Sequence, residues 1–301
     1  MVMLFQRFGN HTLKTSSKMQ SSEALSASLH AFESDILNYL FQISLHSKPG
    51  VDTYSFSWIQ KCLRVLPNID KAFAKFIADI DYPITEWKSF RVEEYMKDNI
   101  TLLDHLNGIS SSISHMGQAC MKLLHALSLV EASPIMLKKL EAILPWCSNK
   151  KVEDQEEGKV SSGKDLVLHQ ALLVRKRVKN WICRIIDSSI RGDTAQSCLV
   201  MNSECGGLYN SSLGSLQSGV CEEMKRKTVV KEVVEINNGV VRLQAAAAKE
   251  GRHGDEPKEL RERVEVLGKL LEGVKEDVNK LFAEALVRRN ELLDSLEHRK
   301  E

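Results

Sequence analysis

IADIDYPITEW, residues 77–87, sets Asp79 and Asp81 one residue apart, just before a proline and within reach of Glu86. In an extended chain or loop, residues i and i+2 point the same way, so the pair would read as a metal or acid–base site. In a helix the same two residues stand about 200° apart around the axis. Upstream, Ile69, Phe73, Phe76 and Ile80 recur at spacings of four, three and four, which is the helical period. On the wheel they define, Asp79 and Asp81 fall on opposite flanks and cannot converge on one ion. Lys75, four residues before Asp79, predicts a solvated i,i+4 pair. Tyr82 precedes Pro83 and is biased away from helical geometry. Thr85 or Ser89 then caps the next helix, with Glu93 and Glu94 favourable in its first turn. The stretch predicts a corner between two core helices.

Working outward, the same period recurs along most of the chain. Leu25, Leu29, Phe32, Ile36, Leu40 and Ile43 mark a first amphipathic helix, closed by Pro49 and Gly50. A second begins near Ser55 and meets Pro67, where it kinks or restarts because proline lacks a backbone donor. Beyond the corner, Ile100, Leu103, Leu106, Ile113, Met116, Cys120, Leu124, Leu127 and Val130 keep the rhythm in the longest segment of the first half. Ser133 and Pro134 open a shorter helix over SPIMLKKLEAILPW. A polar connector over 150–164 leads to a helix from Asp165 to about Ile190.

Residues 191–220 are rich in Ser, Gly, Asn and Cys and read as a linker or insertion. In KTVVKEVVEINNGVVRL, β-branched residues cluster, and Asn238-Gly239 offers a hairpin turn as the alternative to helix. Its flanks are helical. The last helix carries Leu260, Val264, Leu267, Leu271, Val274, Val278, Leu281 and Ala285 at alternating spacings of four and three, a heptad seam. Such a seam either pairs with a partner or packs the helix onto its own domain.

The resulting expectation is an all-α, long-helix bundle with a C-terminal heptad-patterned helix. It comprises a flexible N-terminal tail (1–20), a helical core (21–190), a polar Ser/Gly/Cys linker or insertion (191–221), and C-terminal helices (222–301) that pack on the core or pair with a partner. The bulk composition agrees with an ordinary globular chain: 301 residues, 43% hydrophobic and 27% charged. A formal net charge of +1 gives no global electrostatic case for nucleic acid or anionic lipid. Seven cysteines stand at wide, irregular spacing without a CxxC or zinc-finger pattern, so they read as reduced thiols, some in the core. No run of 18 apolar residues occurs. The N-terminus has no acid before Glu23 and carries Arg7, Lys14 and Lys18 among serines. That composition suits a flexible tail and is also permitted for a transit peptide.

Reactive motifs are scarce. The segment 108–119 holds Ser110, Ser111, Ser112, Ser114 and His115, but without a G-x-S-x-G elbow or a strand–turn–helix setting. Small polar residues there predict close helix packing. Gly206-Gly207 and the glycines of 214–219 lack the lysine and spacing of a phosphate loop. The basic runs RKRVK (Arg175 to Lys179) and KRK (Lys225 to Lys227) read as solvated helix faces, with nuclear-import or phosphate patches as the alternative. Asn10, Asn99 and Asn210 lie in glycosylation sequons.

The segment from Trp58 to Ala119 resembles the plant BYPASS-related family, most closely its BYPASS-like branch. The pieces that carry the resemblance are the Trp58 to Leu66 helix, D-Y-P at Asp81 to Pro83, E-E-Y at Glu93 to Tyr95, and N-G-I-S-S-S-I-S-H from Asn107. F-x-R-F-G near the N-terminus and L-L-D-S-L near the end are similar too. The resemblance implies a plant-specific helical protein tied to control of root and shoot development. The family's founding member restrains a root-derived mobile signal, and no catalytic residues are established for the family.

These readings combine into an expected non-catalytic helical interaction protein. Leu260, Val264, Leu267, Leu271, Val274, Val278 and Leu281 would present a face to a protein partner or to a second copy. No cofactor, metal or nucleic acid is called for. The expected location is cytoplasmic, with peripheral membrane contact through Val2, Leu4, Phe5 and Phe8, or an organelle, as alternatives. The competing class is an enzyme or small-molecule carrier acting on a signal metabolite.

Overall fold

The structure, a computed structural model, describes residues 22–44, 54–132, 140–146, 163–192, 211–227, 229–248 and 255–297. The tail expected over 1–20, nearly all of the 150–164 connector and the middle of the 191–221 linker lie outside the described residues. Among the described residues the fold is all-α and without strands. Its helices are α1 (Ser22–Phe41), α2 (Phe56–Asp79), α3 (Ser89–Ala132), α4 (Lys164–Arg191), α5 (Ser211–Lys227), α6 (Lys231–Ala248) and α7 (Glu256–Glu297).

Each helix buries the stripe its period marks. In α1 that stripe is Leu25, Leu29, Phe32, Ile36 and Leu40. Helix α2 starts where extended Ser55 (φ −141°, ψ 170°) accepts the Trp58 N–H at 3.4 Å. It runs through Pro67 without a break. Glu232, at the start of α6, accepts the Phe56 N–H at 3.1 Å, so the two helix starts are tied together. Helix α3 packs against α4 and α7, α2 against α1, α4 and α7, and α6 against α7. Helix α4 is touched by α1, α2 and α3 and is buried on nearly all sides. A helix surrounded in this way carries its polar side chains away from water, so an unmet partner is costly. Arg175 and Lys179 find carboxylates, while Trp181 Nε1 and Ser188 Oγ have no hydrogen-bond partner among the described residues.

The corner forms as its sequence predicts. Helix α2 ends at Asp79, and Ile80 is fully buried. Asp81 turns the chain with φ +46°, a conformation that Asp tolerates better than most side chains. A 3-10 turn at Ile84–Glu86 follows, and the Trp87 indole N–H donates to the Tyr82 carbonyl at 2.9 Å. Lys164 of α4 donates to the Asp81 carbonyl at 2.6 Å and locks the turn from outside. Two details differ. Lys75 pairs with Asp35 of α1 at 3.0 Å, a cross-helix contact, and is also drawn to Asp79. Helix α3 begins at Ser89 itself, so Glu93 and Glu94 fall beyond its first turn, and Glu94 pairs with Arg91 at 2.8 Å. If the aspartate serves only geometry, Asp81→Gly should leave stability within about 0.5 kcal/mol. Asp81→Val, a β-branched residue at positive φ, should cost roughly 1–2 kcal/mol. Urea unfolding of both variants checks this.

Three further expectations change. Of the short helix expected over 133–146, residues 133–139 lie outside the described residues, and 140–146 have no regular secondary structure. Their backbone groups bond to side chains of α6 instead of to each other. The polar linker is shorter than 191–221, because α5 begins at Ser211 and buries Val220, Cys221 and Met224. The segment around Asn238-Gly239 is helix α6, not a hairpin. Gly239 serves there as a close approach, since a Cβ at that position would stand 2.9 Å from the Leu260 Cδ1 atom.

Candidate functional site: a buried ionic network

Helix α4 carries RKRVK in the middle of the bundle. Arg175 and Lys179 each retain only 1% exposure, the reverse of a solvated basic face. Asp70 of α2 stands between them. It accepts from Arg175 Nε at 3.0 Å and from Lys179 Nζ at 2.9 Å. Arg175 also pairs with Asp98 of α3, and its Nη2 donates to Asn99 Oδ1 at 2.9 Å. Arg288 of α7 pairs with the second oxygen of Asp70 and lies 3.6 Å from Glu284 on its own helix. The Arg175 guanidinium lies 4.7 Å from the Tyr95 ring centroid and 5.5 Å from that of Phe73. Those two rings stack at 5.9 Å. Four helices thus meet at one network, with three cations (Arg175, Lys179, Arg288) against three carboxylates (Asp70, Asp98, Glu284).

The electrostatics follow from this crowding. Burial alone would raise the Asp70 carboxyl, but Lys179, Arg175 and Arg288 outweigh it and hold Asp70 well below the usual carboxylate range. Burial would lower Arg175, and Asp70 and Asp98 more than offset it, so the guanidinium is held still more firmly charged. Lys179 is lowered by burial and by its neighbour Arg175, and its carboxylates recover only part of that. Between the folded and unfolded pKa values the unfolded chain binds the Asp70 proton more tightly, so stability rises with pH there. The contribution of Asp70 is complete above its unfolded value, about 4, and is lost as pH falls below that. Wild type should therefore lose stability more steeply than Asp70→Asn below about pH 4, as read from urea midpoints against pH. Equal slopes would exclude Asp70 as the titrating group.

A second cluster clamps the corner. Asp165, in the first turn of α4, accepts from Lys88 at 3.0 Å and from Arg91 Nε at 3.3 Å. Arg91 Nη1 also meets Glu94 at 2.8 Å and His169 Nδ1 at 2.6 Å. Further along, Ser112 of α3 donates to Asp187 of α4 at 2.6 Å, and Asp187 pairs with Arg191 at 3.0 Å. His115 packs its ring 4.2 Å from that of Trp146. The serine-rich stretch is thus helix contact: the buried Ser112 hydroxyl bridges to a carboxylate that Arg191 also holds. Basic KRK forms local pairs with Glu222 and Glu223. Asn99 is 5% exposed, so its sequon is closed off inside the bundle. The described cysteines Cys62, Cys120, Cys183 and Cys221 are buried as thiols. Burial pushes Cys120 up to about 11 and Cys183 up to about 12, and it raises Cys62 as well. Such thiols are not nucleophiles at neutral pH. Among the described residues no group of three or more His, Cys, Asp or Glu could hold a metal ion.

The C-terminal seam faces inward. Leu260, Val264, Leu267, Leu271, Val274 and Val278 are each 3% exposed or less, and Leu281 is partly buried against the same core. They pack α7 onto α3, α2 and α6. Of the two readings the seam allowed, packing on its own domain is the one this structure contains. The core beneath a bundle is where long a/d stripes are needed most.

Fold and site together define a long-helix bundle drawn around a buried, internally neutralised charge network. Over 97% of its length the chain is 25% identical to the protein named BPS1, chloroplastic, of Arabidopsis thaliana, and it covers 90% of that protein. It is also 23% identical over 68% of its length to UPF0496 protein 4 of Oryza sativa subsp. japonica, of which the match spans about half, 51%. The resemblance to the plant BYPASS-related family is borne out by these matches. No family profile matches the chain, and no solved structure does.

Proposed function

We propose that this chain is a non-catalytic regulatory protein of plant growth, acting through contacts with other proteins. One structural observation carries the reading: the charged groups that the fold gathers are consumed in holding four helices together. Asp70, Asp98, Arg175 and Lys179 neutralise one another inside the core, so these charges hold helices and are not offered to a substrate. Near full-length similarity to BPS1 supports the same role, since the family is tied to root and shoot development. No described helix is long and apolar enough to cross a membrane.

The decisive experiment is affinity purification of the tagged full chain from plant tissue, with mass spectrometry of both proteins and small molecules. The reading expects a reproducible protein set that disappears with the destabilised Asp70→Asn chain. A reproducible metabolite with no protein partner would overturn it in favour of the carrier reading. The name of the Arabidopsis relative carries a chloroplast location and brings forward the transit-peptide reading of residues 1–20. Fluorescence of fusions with and without those residues distinguishes plastid from cytoplasm.

A further inference from the structure

His169 stands in the second turn of α4, and its Nδ1 atom has two neighbours on α3: Arg91 Nη1 at 2.6 Å and Glu94 Oε1 at 3.2 Å. The same Arg91 Nη1 donates to the other Glu94 oxygen at 2.8 Å. Arg91 Nε and Lys88 Nζ both meet Asp165, one turn before His169, at 3.3 and 3.0 Å. The His169 side chain is 18% exposed and that of Arg91 3%, so solvent protons reach the ring while the guanidinium is held in place.

The two neighbours make opposite demands. A guanidinium only donates, so a ring nitrogen that pairs with it must offer a lone pair, which puts the ring proton on Nε2. A protonated ring carries N–H at both nitrogens. Its Nδ1 then has nothing to accept with, and it can only donate to Glu94. Charge points the same way. Lys88 and Arg91 are already matched by Asp165 and Glu94, so an imidazolium is a third cation against two carboxylates. The other charged groups of this region are committed elsewhere. Lys164 donates to the Asp81 carbonyl and lies 6.0 Å over the Tyr82 ring, Glu86 acts on Tyr82, and Asp98, one turn along α3, pairs with Arg175. Among the described residues, α1 and α2 give His169 no hydrogen-bond or ion-pair partner.

We propose that His169 is a proton-operated catch on the clamp between α3 and the start of α4. Neutral, it accepts from Arg91 and ties the two helices at that point. Protonated, it turns Arg91 away, takes Glu94, and loosens the joint. Histidine is the usual carrier of a charge change of this kind. The change stays local, because Asp165 keeps its contacts with Lys88 and Arg91 Nε in both states.

The test follows the ring nitrogens of the full chain, labelled with nitrogen-15 histidine, by NMR from alkaline to acid pH. His169→Gln assigns the signal by its loss, since the glutamine amide accepts from Arg91 but takes no proton. At alkaline pH His169 should carry its proton on Nε2, with Nδ1 showing the shift of a bare nitrogen. A ring protonated on Nδ1 at alkaline pH overturns the catch. Hydrogen exchange across residues 88–95 and 164–170, corrected for the intrinsic effect of pH, supplies the second readout. It should accelerate in wild type as His169 takes its proton, while α7 stays unchanged and His169→Gln shows no such step. Equal exchange profiles in the two chains, or a wild-type profile with no step at the His169 midpoint, overturn the proposal. If His169→Gln does not fold, Glu94→Gln assigns the signal by shifting it, and the wild-type tautomer and exchange step decide.

Discussion

Asp70→Asn is expected to destabilise the bundle by about 3–5 kcal/mol, because it breaks a buried charge network from one side only. Asp70 is the acceptor shared by Arg175, Lys179 and Arg288, so its loss leaves two fully buried cations short of a counter-charge. For a chain of this size each kcal/mol corresponds to about 2–4 °C in melting temperature, so a fall on the order of 10 °C should appear in a thermal scan. The asymmetry can be tested directly. Lys179→Met removes a cation whose burial already disfavours its charge, and it should cost much less than Asp70→Asn. Replacing both together (Asp70→Leu with Lys179→Met) should recover part of the loss, since apolar isosteres carry no desolvation penalty. A double variant as unstable as the sum of the singles would show that the two residues act independently.

The second large effect lies in the seam. Charged replacement of Leu267, Leu271, Val274 and Val278 together should unfold the chain, with helical content and cooperative melting both lost. These positions are 0–3% exposed, and a carboxylate or ammonium there would have no partner. Leu267→Ala alone should cost about 2–5 kcal/mol through the cavity it leaves. Were the seam a partner face, the quadruple variant would stay folded and lose only its partner. Circular dichroism and urea unfolding separate the two outcomes.

The corner at residues 77–87 was legible because helical phase and the Tyr82-Pro83 step both act locally, and together they decide the geometry. The seam was legible as a stripe but not as a surface or a core, because the heptad period is the same whether the facing helix belongs to this chain or another. The ionic network was the larger miss, although its signal is present in the phase of the apolar stripes. On α4 the core positions run Leu168, Leu172, Arg175, Lys179, Ile182 and Ile186, so the two cations stand where apolar residues belong. Asp70 falls four residues after Leu66 and three before Phe73. On α3, Asn99 continues the step from Tyr95 to Leu102, which displaces the expected stripe by one and leaves Ile100 46% exposed. On α7, Arg288 is the next seam position after Ala285, and Leu292 follows it into the core. A basic run judged by composition looks solvated, while the same run judged by register is buried.

The irregular path of 140–146 was not legible. LEAIL continues the helical period of the residues before it, and its backbone instead meets a pair of amides about a hundred residues away on α6. Local propensity does not encode such a contact.

The central claim, that charges from separate helices form one buried network that locks the bundle, is tested most directly by a double-mutant cycle on Asp70 and Arg288. These residues join α2 to the C-terminal helix across 218 positions of sequence. Urea unfolding of wild type, Asp70→Asn, Arg288→Met and the double variant should give a coupling of more than about 1 kcal/mol. Additivity within about 0.3–0.5 kcal/mol would contradict the network as the element that holds α7 in place.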